Sequence, residues 1–278
     1  MRKQTINDKN FLLICGPCQL ESKDHMFTIA QKIYTITKKL NIPLLFKVSF
    51  DKANRTSIHS KRGVGLNDAT YIFYKFKQQF PHIKLLTDVH ETTQIDKVKI
   101  HTDGIQIPAF LSRQTDLIQK ACETDLIVNI KKGQFMSPYD IKHILQKCKQ
   151  VRPDLKNVMI TERGTSFGYN QLVVDMTGIQ VMRDIITNEY PNVRLVIDGT
   201  HSVQKPGSLD GKSGGNREFV PNLTKAALTY RLGGVFLETH NDPDNAPSDG
   251  PNALYLHKLQ QILTDLKKYD QFVKKSDN

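Results

Sequence analysis

The sequence predicts a single (β/α)8 barrel, the TIM-barrel architecture, with a short N-terminal extension, as one domain over residues 1–278. Two observations predict it. Short β-type runs alternate with helically spaced segments eight times along the chain, and the connections on the two sides of those runs differ in length and chemistry. Eight strands alternating with helices imply a parallel sheet, and eight such units closing on themselves take about 250 residues. On the alternation alone, an open doubly wound sheet is the alternative.

The strands are read at Phe11–Cys15, Leu44–Val48, Ile83–Thr87, Gly104–Ile107, Leu126–Ile130, Val158–Thr161, Arg194–Ile197 and Gly234–Leu237. Between them, Met26, Ile29, Ile33, Ile36 and Leu40 share one helix face, as do Leu259, Ile262, Leu266, Tyr269 and Val273. Ser137 followed by Pro138 reads as an N-cap and first helical position. Helix-to-strand connections are short, whereas long polar loops follow strands two, six, seven and eight, among them Ser49–Leu66 and Gly199–Asn216. Long loops in a compact domain are functional or disordered. Here they leave the C-terminal ends of strands, where barrel enzymes carry their chemistry.

Composition narrows the field without deciding it. The 278 residues carry a formal net charge of +11, spread along the chain without the interleaved aromatics of a nucleic-acid binder. No basic amphipathic helix marks a membrane surface, and no apolar run approaches the roughly 18 residues of a membrane span. The apolar stretch after the basic N-terminus is too short for a signal peptide, so a cytoplasmic protein is expected. Solvated surface lysines and an anionic substrate both remain as readings of the charge. Four cysteines do not make a disulfide scaffold in a chain of this length.

If the barrel holds, the residues just past the strands meet at one mouth. They include Cys18, Asp88, His90, Gln106, Lys131, Lys132, Gln134, Glu162, Asp198, His201, Glu238, His240 and Asp249. One subset is cationic: Lys47, Lys52, Arg55, Arg113, Lys131 and Arg163. Ammonium and guanidinium groups around one cavity suit a ligand with several phosphate or carboxylate oxygens. The other subset, Cys18, His201, Glu238 and Asp249, mixes thiolate, imidazole and carboxylate donors of the kind that hold a divalent metal such as zinc, iron or manganese. Its members are too scattered for spacing to make a metal motif, and a merely buried Cys18 with a hydrogen-bonded His201 is the competing reading. Cys15-Gly16-Pro17-Cys18 has the form of a redox pair. A thioredoxin-like unit, however, has no need of eight βα units, and Cys15 belongs to a strand.

At these positions the chain resembles the 3-deoxy-D-manno-octulosonate 8-phosphate synthase family, from Phe11 to Lys268. The matching stretches are GPCQLES, FKVSFDKANRTSIHS, TDVHE, IQIPAFLSRQTDL, VNIKKGQF, TERGTSFGYNQLVVD, GTHSVQ, GGNREF, and FLETH with PSDGPNAL. Heptulosonate 7-phosphate synthases are similar, but typically carry a KPRTS-like loop where this chain has Lys52 to Ser57. The resemblance implies condensation of phosphoenolpyruvate with D-arabinose 5-phosphate and water, a step in lipopolysaccharide precursor synthesis. It implies that Lys47, Lys52, Lys131, Gln134 and Arg163 grip phosphoenolpyruvate, with Ser49 and Gln106 also in the substrate site. Asn54, Arg55 and Ser57 would hold the aldose, with Arg113 reaching its phosphate from a neighbouring subunit of a homotetramer. Asp88, His90, His201 and Asp249 are the implied catalytic groups. Metal-independent members have Asn at the position of Cys18, so the resemblance implies the metal-dependent form. The chain departs from the commoner pattern at Cys15, where Ala or Gly is usual, and at Gly199, often Ala. Two other readings stay open: a Schiff-base aldolase using Lys131, and a nucleic-acid binder using the net charge.

Overall fold

The computed structural model describes residues 5–209 and 212–275. Residues 1–4 of the N-terminal extension and 210–211 of the loop Gly199–Asn216 lie outside the described residues.

Eight parallel strands form the barrel: β1 (Leu12–Gly16), β2 (Leu44–Lys47), β3 (Lys84–Asp88), β4 (Gly104–Ile107), β5 (Ile127–Lys131), β6 (Val158–Glu162), β7 (Arg194–Asp198) and β8 (Gly234–His240). They pair in chain order, and β1 closes on β8 with Leu12 opposite Gly234 and Gly16 opposite Glu238. Closure rules out the open sheet. Six expected strands continue past their expected ends, β8 by three residues to His240. Apart from Gly16 the extra residues are polar, and the alternation of apolar side chains that defines a strand in sequence stops before them.

The helices are α1 (Lys23–Lys39), α2 (Leu66–Gln79), α3 (Thr92–Val98), α4 (Thr115–Cys122), α5 (Ile141–Val151), α6 (Met176–Glu189), α7 (Val220–Leu228) and α8 (Leu259–Lys275). Ser22 caps α1 by accepting from the His25 amide at 3.2 Å. Ser137 caps a short 3-10 turn, Pro138–Asp140, that leads into α5. Two of the long loops carry hairpins: Thr165–Ser166 with Leu172–Val173, and Gln204–Leu209 with Lys212–Gly215.

Because successive strand side chains point to opposite faces, each strand feeds two cores. The larger lies between strands and helices and takes Leu13, Cys15, Phe46 and Leu237. The smaller fills the barrel interior with Ile14, Leu45, Leu86, Met159, Val196 and Phe236. Two residues further along, the same inward face carries Lys47 after Leu45, Asp88 after Leu86, Asp198 after Val196 and Glu238 after Phe236. The interior layer is thus the floor on which the polar groups stand. Gly199 is fitted to its surroundings, since a Cβ there would lie 2.1 Å from Thr224 Oγ1. That contact accounts for glycine at this position.

At the opposite end the extension closes the barrel. Thr5 and Asp8 form a reciprocal capping box around the turn Ile6–Asp8. Asn7, fully buried, donates to Val193 O at 3.0 Å and accepts from the Leu195 amide at 2.7 Å.

Candidate active site

A cavity of about 1110 Å³ opens at the C-terminal mouth. Of the expected site residues, Lys47, Lys52, Asn54, Arg55, Asp88, His90, Gln106, Lys131, Gln134, Arg163, His201 and Asp249 line it. Ser49 stands behind the lining, fully buried, and accepts from Lys47 Nζ at 2.7 Å and Lys52 Nζ at 2.9 Å, so it fixes both ammonium groups. Cys18 and Glu238 also stand behind the lining, both buried. Two further expected members lie away from the cavity. Arg113 is exposed outside it, its carbonyl accepting from Lys147. Ser57 caps a local turn by accepting from the His59 amide. Lys132 also turns away and pairs with Glu162 at 3.3 Å below the surface.

The cationic side is built on β5 and β6. Lys131 Nζ binds Asp198 Oδ2 and lies 3.2 Å above the Phe236 ring. Burial brings its pKa down to about 8, although the Asp198 carboxylate opposes the shift. Arg163 is anchored through Nη2 on Gln204 at 2.9 Å, while its Nη1 is buried with no partner. Gln134 Oε1 is likewise unpartnered. Gln106 accepts from Asn129, which in turn accepts from Thr161 at 2.6 Å, a polar chain supporting the site from below. Asp88 lies 3.9 Å from Lys47 and 3.3 Å from His90. Burial opposes its ionisation, but Lys47 and the His90 hydrogen bond hold its carboxyl far below the usual range.

On the other side, ligand atoms of Cys18, Glu238 and Asp249 lie within 4.8 Å of one another. His201 Nε2 faces the two carboxylates at 3.5 Å from Glu238 and 3.6 Å from Asp249. Its Nδ1 pairs with Asp198 at 2.7 Å, and its backbone amide donates to the other Asp198 oxygen at 2.9 Å. The Nδ1 contact fixes the ring and leaves Nε2 for the cavity. Burial disfavours a charged imidazolium, but Asp198 and Glu238 outweigh it and lift the His201 pKa to about 9. Burial, then the Glu238 charge, pushes the Cys18 thiol well above its usual range.

The donor set fits a divalent cation. Glu238 is fully buried; Lys47 Nζ and His201 Nε2 face its two oxygens at 3.6 and 3.5 Å, yet neither oxygen has a hydrogen-bond partner. Its charge is met at a distance while its lone pairs stay open, the state in which a divalent cation can bind at closer range. Cys18 and Asp249 also hold positive φ angles, 64° and 49°, rare for non-glycine residues and worth about 1–3 kcal/mol of strain each. Gly16 permits the approach of this loop, since a Cβ there would lie 1.7 Å from the Lys47 carbonyl oxygen. Cys15 points to the outer core instead, and all four cysteines are free.

A second His–Glu group at the rim is of another kind. His240 Nδ1 accepts from the Asp242 amide at 3.0 Å, so Nε2 carries the proton it gives to Glu21 at 2.7 Å. His240 is therefore a hydrogen-bond donor in a strut between β8 and the β1 loop, with no free nitrogen for a metal.

Residues 3–275 match the DAHP synthetase I family. The chain belongs to that family. Among relatives of this DAHP synthetase I member is the 2-dehydro-3-deoxyphosphooctonate aldolase of Rickettsia conorii, 48% identical over 268 residues, covering 96% of this chain and 94% of the relative. The protein of the same name from Bartonella henselae is 48% identical over 270 residues, covering 97% and 94%. That from Rickettsia bellii is 46% identical over 268 residues, covering 96% and 94%.

Asp198 and Gln204 are the main residues that strand-end reasoning leaves without a role. Both stand beside expected groups in sequence, but only the closed barrel brings Asp198 against Lys131 and Gln204 against Asp249.

Proposed function

We propose that this family member condenses phosphoenolpyruvate with D-arabinose 5-phosphate and water, giving 3-deoxy-D-manno-octulosonate 8-phosphate and inorganic phosphate. The observation that carries the reading is near-full-length similarity to 2-dehydro-3-deoxyphosphooctonate aldolases, joined to a cavity lined by Lys47, Lys52, Lys131 and Arg163. Lys131, Gln134 and Arg163 hold the enol phosphate, with Lys47 and Lys52 beside them. Asn54, Arg55 and Ser57 receive the aldose, Ser57 by movement of its loop. Arg113, exposed outside its own cavity, reaches the aldose phosphate of a neighbouring subunit in a homotetramer.

C3 of phosphoenolpyruvate forms a bond to the aldehyde carbon, and water adds at C2. The resulting hemiketal phosphate breaks its C–O bond to release phosphate. Holding two polyanions at attack distance supplies much of the rate. Asp88, His90 and Asp249 are placed for proton traffic at the cavity wall, and His201 is held by Asp198. Cys18, His201, Glu238 and Asp249 hold a divalent metal, which when bound supplies Lewis acidity and a fixed point for orienting substrate oxygens.

The test is phosphate release from phosphoenolpyruvate with arabinose 5-phosphate and with erythrose 4-phosphate, each with and without chelator. Turnover with arabinose 5-phosphate that chelator abolishes is expected. Preference for erythrose 4-phosphate would assign the heptulosonate activity instead, and turnover that survives chelator would remove the metal from the proposal.

A further inference from the structure

One uncharged side chain stands between the cationic side and the metal side of the cavity. Gln204 begins the hairpin strand Gln204–Leu209, and its amide makes two bonds of opposite polarity. Oε1 accepts from Arg163 Nη2 at 2.9 Å, and Nε2 donates to Asp249 Oδ1 at 2.9 Å. Only an amide offers an acceptor and a donor at this fixed separation. A carboxylate would serve Arg163 alone, and an ammonium Asp249 alone.

The groups at both ends are half used and half open. With Nη2 tied to Gln204, the unpartnered Nη1 of Arg163 is the part left for an anion. With Oδ1 tied to Gln204, Asp249 turns Oδ2 toward Cys18 Sγ at 3.2 Å and His201 Nε2 at 3.6 Å. Gln204 is itself fixed by its backbone, which pairs with Gly215 across the hairpin. A shift of the guanidinium toward a ligand therefore moves the amide, and the amide moves the carboxylate.

We infer that Gln204 is a positioning residue that couples anion binding at Arg163 to cation binding at Asp249. The coupling rests on the metal reading above, and it is reciprocal: whatever the anion does to cation affinity, the cation does to anion affinity. Direct attraction between the two bound charges persists without the amide, so the contribution of Gln204 is the part that its removal takes away.

The experiment measures Cd²⁺ binding to the full chain by its thiolate-to-metal charge-transfer absorption, with and without saturating phosphoenolpyruvate. Cys18→Ser identifies the band. In Gln204→Met, the Cd²⁺ and phosphoenolpyruvate dissociation constants both rise on the order of ten-fold. The factor by which phosphoenolpyruvate tightens Cd²⁺ binding shrinks as well. A double-mutant cycle of Gln204→Met with Arg163→Met is non-additive in Cd²⁺ affinity, because each substitution breaks the same chain of contacts. Gln204→Asn, which keeps the amide but withdraws it by one methylene, gives the same signs more weakly and serves should Gln204→Met fold poorly. A wild-type protein without a Cys18-dependent band overturns the metal reading and this coupling together. A normal band with an additive cycle and an unchanged tightening factor overturns the coupling alone.

Discussion

Asn7 and Glu238 are both fully buried polar side chains at opposite ends of one barrel, and they differ in what they meet. Asn7 finds a carbonyl and an amide for its two ends, and its turn seals the bottom. Glu238 has only longer-range ion pairs and no hydrogen-bond partner for either oxygen, and around it Asp88, Gln134 and Arg163 each keep a buried atom without a hydrogen bond. Burial is equal, so burial is not the marker of function. Unmet bonding capacity is the difference: the closed end is finished by the chain itself, while the mouth is finished by a ligand.

The largest effect expected from this contrast is at the mouth. Arg163→Met lowers kcat/KM for phosphoenolpyruvate on the order of 10³-fold, while chemical denaturation moves by less than about 1 kcal/mol. A comparable loss of folding stability would break the comparison. At the closed end the pattern reverses. Asn7→Leu leaves two backbone groups unmet, costs about 2–4 kcal/mol in urea unfolding, and leaves kcat/KM unchanged.

Ligands sharpen the same contrast. Phosphoenolpyruvate at about 100 times its dissociation constant stabilises the wild type by about 2.7 kcal/mol, read as a raised melting temperature, and Arg163→Met loses most of that gain at the same concentration. Metal binding is expected to release protons. Near pH 7 the raised Cys18 thiol is protonated, and so is His201, whose pKa is about 9. An ion taking Sγ and Nε2 displaces about two protons, so affinity rises with pH toward the His201 value and falls as pH drops. Calorimetry in buffers of different ionisation enthalpy counts them, and zero released protons would contradict the ligand set. The smallest effect concerns packing beneath the site. Gly199→Ala costs about 1–3 kcal/mol through its contact with Thr224, and Thr224→Ala in the same chain restores most of it.

The barrel was legible because period-two and helical patterns are local, and eight repetitions compound a weak signal. Strand ends were less so: β8 runs on to His240 because the polar Glu238 still pairs with Gly16, and Thr239 and His240 pair with Leu254 and Tyr255. The cations of the mouth could be listed from strand ends, yet nothing local separates Lys131, which enters the cavity, from Lys132, which turns to Glu162. Asp198 and Gln204 act by touching residues from other strands and loops, and such contacts exist only after closure. Arg113 and Ser57 stood in the right motifs but lie off the cavity of their own chain, because motif membership carries no orientation.

The left-handed backbone at Cys18 has a consequence for how this family can diversify. Asn is among the few residues that occupy that conformation readily. It is also the residue that the resemblance assigns to metal-independent members at this position. A single exchange of Cys18 for Asn therefore trades a thiol for an amide while asking nothing new of the loop. The backbone restricts the alternatives at Cys18 to a short menu, and Asn is on it. Cys18→Asn should accordingly fold as the wild type does.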